Sequence, residues 1–269
     1  MLLFPLLLEP EELYARLGES SLLVVDLSGP GVQRIGHIPG AVHLDYSVLL
    51  ASQRPIGRRL PDEGQLSQAL SSVALTPHMH VVAYDDEGGG KAGRLLWTLD
   101  VIGHRRFALL NGGIHAWANE GYPLETSIVR RSPSRYEAIC TEHGYADKDY
   151  ILRNLDNPDV VLLDTRTSEE FDGIARYATR AGHIPGAVNM DWVLAMDRNR
   201  NLRLKPKPEL RALLEQRGVT TEREVIVYCQ THHRSSHTYV VLKVLDYPRV
   251  RGYAGGWSEW GNLPDTPIE

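Results

Sequence analysis

Residues 223–245 carry the chain's densest set of reactive side chains. Cys229, Gln230, Thr231, His232, His233, Arg234 and Ser235 follow one another without a carboxylate among them. A cysteine reacts as its thiolate, and cationic neighbours or a helix N-terminus lower its pKa from the free value of about 8.5. The preceding run, Val225-Ile226-Val227-Tyr228, is apolar and β-branched, which predicts a buried strand. The following run to Leu245 predicts a helix with Ser235 or Ser236 near its N-cap. A polar loop between a strand end and a helix start turns backbone amides and free first-turn N–H groups toward one spot, where an anion is favoured. The expected site is a thiolate nucleophile at Cys229 held inside an anion cradle.

Two plainer readings compete. A structural cysteine sits in apolar company, whereas Cys229 is followed by Gln, Thr, His, His and Arg. Zinc is the better rival, because Cys229, His232, His233 and His237 supply enough ligands. They crowd onto one loop and turn, however, and structural zinc sites usually pair two separated clusters. A reactive thiol is the reading retained, with no metal and no cofactor. The second cysteine, Cys140, lies in Glu137-Ala138-Ile139-Cys140-Thr141-Glu142, where no base would stabilise a thiolate.

The elements that hold this loop follow from composition and repetition. A chain of 269 residues with 42% hydrophobic and 23% charged residues reads as two globular domains. A net charge of −5 gives no reason to expect nucleic acid. Two cysteines make no disulfide framework, so a reducing, cytoplasmic setting is expected. The apolar start, Met1 to Leu8, has no basic leader, contains Pro5 and runs into Glu9, so it is not read as a signal peptide. No run approaches the roughly 20 apolar residues of a membrane span.

The chain then repeats itself. Leu22-Leu23-Val24-Val25-Asp26 returns as Val160-Val161-Leu162-Leu163-Asp164, and Gly36-His37-Ile38-Pro39-Gly40-Ala41 as Gly182-His183-Ile184-Pro185-Gly186-Ala187. Val81-Val82-Ala83-Tyr84 returns as Val225-Ile226-Val227-Tyr228, and Gly112-Gly113 with Trp117 as Gly255-Gly256 with Trp260. The offsets are 138 (Asp26 to Asp164), 146 (His37 to His183), 144 (Tyr84 to Tyr228) and 143 (Gly113 to Gly256). Two homologous domains are implied, at 1–124 and 139–269, joined by a polar linker at 125–138. Strand-like runs alternate with helix-like patterns such as Pro10 to Leu17 and Pro208 to Gln216. That alternation predicts an α/β fold in which each domain has a mostly parallel central sheet flanked by helices. Sites in such sheets lie beyond the carboxyl ends of the strands, where Cys229 would be.

The repeat also supplies a control. Laying Tyr84 on Tyr228 puts Asp85 opposite Cys229, and the first loop reads Asp85-Asp86-Glu87-Gly88-Gly89-Gly90-Lys91. It has no sulfur, and its carboxylates would repel an anion. The first domain is therefore read as catalytically inactive.

The paired Gly-His-Ile-Pro-Gly-Ala segments, the strand-borne Asp26 and Asp164, the Gly-Gly-x-x-x-Trp segments and the Cys-x-x-x-x-Arg-Ser loop together resemble a tandem-domain rhodanese, a sulfurtransferase. The resemblance covers nearly the whole chain. It implies two rhodanese-like domains of about five strands each, and transfer of sulfane sulfur from thiosulfate to cyanide or another thiophile through a Cys229 persulfide. It further implies small-molecule donors and acceptors and admits protein sulfur acceptors, with neither nucleic acid nor membrane. Gln230, Thr231, His232, His233, Arg234, Ser235 and Arg166 would bind substrate, Arg234 by stabilising anions. His232 and His233 either touch the donor or face solvent. Glu170 stands where relatives using 3-mercaptopyruvate carry a base, and its sign is wrong for holding that donor's carboxylate. Rhodanese-like phosphatases have a loop one residue longer than the four between Cys229 and Arg234, which favours sulfur over phosphate. A non-catalytic sulfur or metal carrier is the third reading.

Overall fold

The computed structural model describes residues 4–52 and 57–269. Residues 1–3 of the apolar N-terminal run lie outside them. Two compact units form. One comprises Met1–Leu49, Pro61–Thr141 and Met196–Leu204, the other Leu50–Leu60, Glu142–Ala195 and Lys205–Glu269. Each unit thus includes a short segment from the other half of the sequence, which the repeat did not announce.

The first unit is built on strands β1 (Leu7–Leu8), β2 (Leu22–Asp26), β3 (Val42–His43), β4 (His80–Tyr84) and β5 (Phe107–Leu110), all parallel, in the order β1-β5-β4-β2-β3. The second holds β6 (Tyr145–Ala146), β7 (Val160–Asp164), β8 (Val188–Asn189), β9 (Glu224–Tyr228) and β10 (Val250–Tyr253), again parallel, in the equivalent order β6-β10-β9-β7-β8. Even the register is shared: Asp26 lies opposite Tyr84, and Asp164 opposite Tyr228. All five residues of β2 and of β7 are buried, as expected for strands covered on both faces. Parallel neighbours need crossover connections, and here helices make them. Gly90–Val101 joins β4 to β5, and Arg234–Val244 joins β9 to β10.

Each unit has its own core. In the first, Leu22, Val24, Tyr84, Leu110 and Trp117 pack together; in the second, Leu162, Ile226, Tyr228, Trp257 and Trp260 do so. The polar stretch expected as a linker is fastened to the first unit. Glu125 exchanges backbone hydrogen bonds with His37, Ser134 N donates to Ser71 O at 3.0 Å, and Ala138 N donates to Ser67 Oγ at 2.9 Å. Such segments still have backbone donors to satisfy, and a neighbouring helix end satisfies them. Cys140 belongs to the same unit, its amide 2.7 Å from Glu63 Oε1. Among the described residues, no helix is long and apolar enough to cross a membrane.

Candidate active site

Strand β9 ends at Tyr228 and delivers Cys229 to the carboxyl edge of the second sheet, where its residue surface is 1% exposed. Its carbonyl accepts from Trp257 N at 2.8 Å. Gly256, at φ +52, lies so close that a Cβ would run into that same carbonyl. In the first unit Gly113, at φ +54, stands in the same relation to the Asp85 carbonyl. The repeated Gly-Gly pair is therefore the floor beneath each loop.

The helix after the loop begins at Arg234, with His233 as N-cap, two to three residues ahead of the expected cap at Ser235 or Ser236. Its β-branched content does not prevent it, because nearly every residue from Ser235 to Val244 is buried and packing outweighs propensity. His232 takes φ +54, a left-handed conformation uncommon for a residue with a side chain.

Electrostatics at the thiol run in two directions. Burial alone would push Cys229 up, but it is outweighed by the Arg234 guanidinium, the hydroxyl and amide of Ser235 and the amide of Thr231. The thiol is held below its ordinary value. Cys140 goes the other way, raised by burial and by Glu63 and Asp62.

Arg234 is itself held. Its Nη1 lies 2.5 Å from Glu170 Oε2 and its Nη2 2.9 Å from Oε1, a two-pronged pair. Burial raises Glu170, yet Arg234 more than reverses this and keeps its carboxyl below the usual carboxylate range. Glu170 is placed by its own short helix, Ser168–Phe171, through a capping box with Thr167. Sequence reasoning used Glu170 only as a misplaced charge. Its spacing from Thr167 was the signal that it would be fixed, but nothing in the sequence showed which cation it would meet.

The other expected residues fall into two groups. Gln230, Thr231, His232, His233, Arg234 and Ser235 follow Cys229 on the loop and first helical turn, and of these Arg234, Ser235 and Thr231 act on its sulfur. Within that set His232 is turned inward, 0% exposed, with Nδ1 2.7 Å from Ser235 Oγ. It braces the hydroxyl that serves the sulfur and does not face solvent. His233 is half-buried, edge-on to Trp192 with ring centroids 6.1 Å apart. Gln230 Nε2 donates to Tyr177 O at 3.0 Å, which ties the loop to a neighbouring segment.

Arg166 lies apart from the loop set. Expected to bind substrate, it is 1% exposed and committed inside the domain. Its Nε and Nη2 donate to the Asp164 carboxylate at 2.6–3.0 Å, Nη2 also reaches Gly182 O at 2.8 Å, and the guanidinium lies over Trp257. A buried cation needs its full set of partners, and Asp164, two residues away, supplied them first.

In the first unit the equivalent loop holds no thiol. Asp85 is wholly buried, and its carboxylate accepts from Gly89 N at 2.8 Å, Ala92 N at 2.9 Å and Glu87 N at 3.0 Å. The side chain occupies the anion cradle of its own loop.

Comparison with known proteins finds relatives that match most of the chain. A family model described as a rhodanese-like domain matches residues 9–120 and again residues 147–263. Among curated proteins, the thiosulfate sulfurtransferases of Azotobacter vinelandii and Pseudomonas aeruginosa are each 42% identical over 265 residues, covering 98% of this chain and 97% of theirs. The sulfur carrier protein TtuD of Thermus thermophilus is 35% identical over 250 residues, covering 87% of this chain and 85% of its own. Among solved structures, the anaerobic ergothioneine biosynthesis enzyme of Chlorobium limicola superimposes with a TM-score of 0.86 at 22% identity, covering 98% of this chain and 70% of that one. At that identity the likeness concerns the fold.

Proposed function

The chain belongs to the rhodanese family, and from that premise we propose that it moves sulfane sulfur from thiosulfate to cyanide or another thiophile with Cys229 as the carrier. The observation that carries the reading is the arrangement at one sulfur: a depressed thiol, amides of Thr231 and Ser235, and the Arg234 guanidinium locked by Glu170.

The Cys229 thiolate attacks the outer sulfur of thiosulfate. A sulfur–sulfur bond forms to Cys229, the bond to the sulfite sulfur breaks, and sulfite leaves with the electron pair. Cyanide then attacks the terminal persulfide sulfur, thiocyanate departs and the thiolate returns. No proton changes hands, so the protein's task is electrostatic and is met by groups already in place. Arg234 and the loop amides offset the repulsion between thiolate and dianion. Arg166 is assigned to holding β7 and the Gly182 turn rather than to substrate.

A protein acceptor fits the same chemistry, and the relative named a sulfur carrier protein supports that reading. Two free cysteines, one of them the proposed nucleophile, suit a reducing compartment such as the cytoplasm. Intact mass after thiosulfate treatment tests the central step. The wild-type chain and Cys140→Ala are expected to gain one sulfur atom and to release it to cyanide, while Cys229→Ala gains none and makes no thiocyanate. Retention of sulfur by Cys229→Ala would remove Cys229 from its role.

A further inference from the structure

In the second unit a line of hydrogen bonds runs from a buried imidazole to the sulfur. The Ser235 hydroxyl and amide both hydrogen-bond Cys229, and Ser235 Oγ lies 2.7 Å from His232 Nδ1. Ser235 and His232 are each 0% exposed, so bulk water does not compete for either contact. The Ser235 hydroxyl favours the thiolate, which has no proton to give, so the hydroxyl is the donor there. A hydroxyl has one proton to donate. At its other contact Ser235 Oγ must therefore accept, and His232 Nδ1 carries the proton, whatever the state of the other ring nitrogen.

This orientation of the hydroxyl is imposed by its neighbour. Ser236, one residue on, spends its hydroxyl on the carbonyl three residues back, His233 O at 2.7 Å, a common fate for a serine in a first helical turn. The matching acceptor for Ser235 would be the His232 carbonyl. His232 also holds φ +54, where a glycine would rest without strain, and yet it keeps its ring wholly buried beside Ser235. Strain retained at a buried donor next to a reacting atom points to work for that donor.

We propose that His232 is a positioning residue for sulfur transfer, whose Nδ1–H holds the Ser235 hydroxyl on Cys229 Sγ and so makes this cysteine the better leaving group when the acceptor takes the sulfur. The inference rests on the persulfide cycle proposed above. In the discharge step the cyanide carbon bonds to the terminal sulfur, the sulfur–sulfur bond breaks, and its electron pair returns to Cys229 Sγ. Charge thus arrives on the atom that the hydroxyl meets, whereas in the loading step charge leaves it. A stabilised thiolate departs faster and attacks more slowly, so the chain of hydrogen bonds favours discharge. The Arg234 charge faces the same sulfur, with Glu170 and Asp191 beside that guanidinium, and substitution at His232 leaves all three in place.

Asparagine carries an N–H on Cγ, as the imidazole carries Nδ1, and tolerates positive φ; leucine has similar bulk and no donor. Iodoacetamide alkylation of the full chain against pH, read at Cys229 by peptide mass, follows the thiolate without calling on sulfur transfer. His232→Leu is expected to raise the midpoint by about half a pH unit or more, and His232→Asn to keep it near the wild-type value. In a Ser235→Ala background His232→Leu should add nothing, because the chain is already cut. Single-turnover kinetics separate the two steps. Discharge of the preloaded persulfide to cyanide should slow about fivefold or more in His232→Leu, while loading by thiosulfate above every midpoint should not slow. Nitrogen-15 NMR of the wild-type chain tests the direction of the chain even where His232→Leu folds poorly, and should find the His232 proton on Nδ1. A proton on the other ring nitrogen alone, an unmoved midpoint in folded His232→Leu, or equal loss in His232→Asn and His232→Leu would overturn the proposal. Failure of the wild type to take up sulfur would instead overturn the persulfide cycle, and the claim about discharge with it, while the midpoints and the NMR still decide the hydrogen-bond chain.

Discussion

At the residue scale, the pair Arg234–Glu170 decides how the sulfur behaves. Because Cys229 is held below its ordinary thiol pKa, its alkylation by iodoacetamide should reach half-maximal rate at a lower pH than that of Cys140, which is raised. The sign for stability follows: a depressed folded pKa contributes stability that is full above the unfolded thiol value, about 8.5, and is lost as pH falls through the folded value. Arg234→Ala should move the alkylation midpoint up and lower kcat/KM by roughly ten- to hundredfold, the worth of a lost charged hydrogen bond of about 1.5–3 kcal/mol. Glu170→Ala should shift the midpoint in the same direction, since an untethered guanidinium no longer rests at the sulfur. An unshifted midpoint in Glu170→Ala would show that Arg234 needs no help. The same pair bears on donor choice. With both prongs of Arg234 engaged by Glu170, no cation of that pair is free to grip a second carboxylate. Thiosulfate should therefore give a higher kcat/KM than 3-mercaptopyruvate, and steady-state rates with each donor check it.

At the element scale, most of the framework was legible because it was written twice. β2 and β7, β4 and β9, and the Gly-Gly floors could each be read against a copy, and a buried parallel strand is a conspicuous apolar run. The loop after β9 was legible through its residue types, and Thr231, Arg234 and Ser235 act on the Cys229 sulfur. The pairing of Arg166 with Asp164 was not, because periodicity says which face a residue takes and not which of two anions it meets. The short pairs Ala51–Ser52 with Gly57–Arg59, and Met196–Asp197 with Arg203–Leu204, were missed for want of any alternating pattern over two or three residues. The copy that lost its chemistry gives the element-scale prediction. Asp85→Cys removes the carboxylate that three amides grip, and leaves Asp86 and Glu87 beside the new sulfur with Lys91 paired to both. No persulfide should form at position 85 after thiosulfate treatment; mass mapping that found one would show that amides alone suffice.

At the scale of the whole molecule, each unit is completed by residues from the other half of the sequence. Arg59 belongs to the second unit, where it pairs with Glu259, a buried carboxylate that also accepts from Tyr253 Oη at 2.8 Å. Arg203 belongs to the first, where Nε is 2.8 Å from Glu9 and the rest of the fork meets Glu120. The Arg59 side chain is 38% exposed, so solvent screens part of its attraction. Arg59→Ala should cost about 1 kcal/mol and lower the melting temperature by about 2–4 °C, although the residue lies far from Glu259 in sequence. Differential scanning calorimetry would show it, and an unchanged profile would make the pair decorative. The first unit's need for Arg203 also sets a clock on the ribosome. Glu120 emerges 83 residues ahead of Arg203. At about 5–20 residues per second, the nascent first unit waits roughly 4–17 s before that cation and the Leu204 amide that donates to Asn111 arrive to finish it. A stalled chain ending before Met196 should accordingly be cut faster by protease in its first unit than one extended past Leu204.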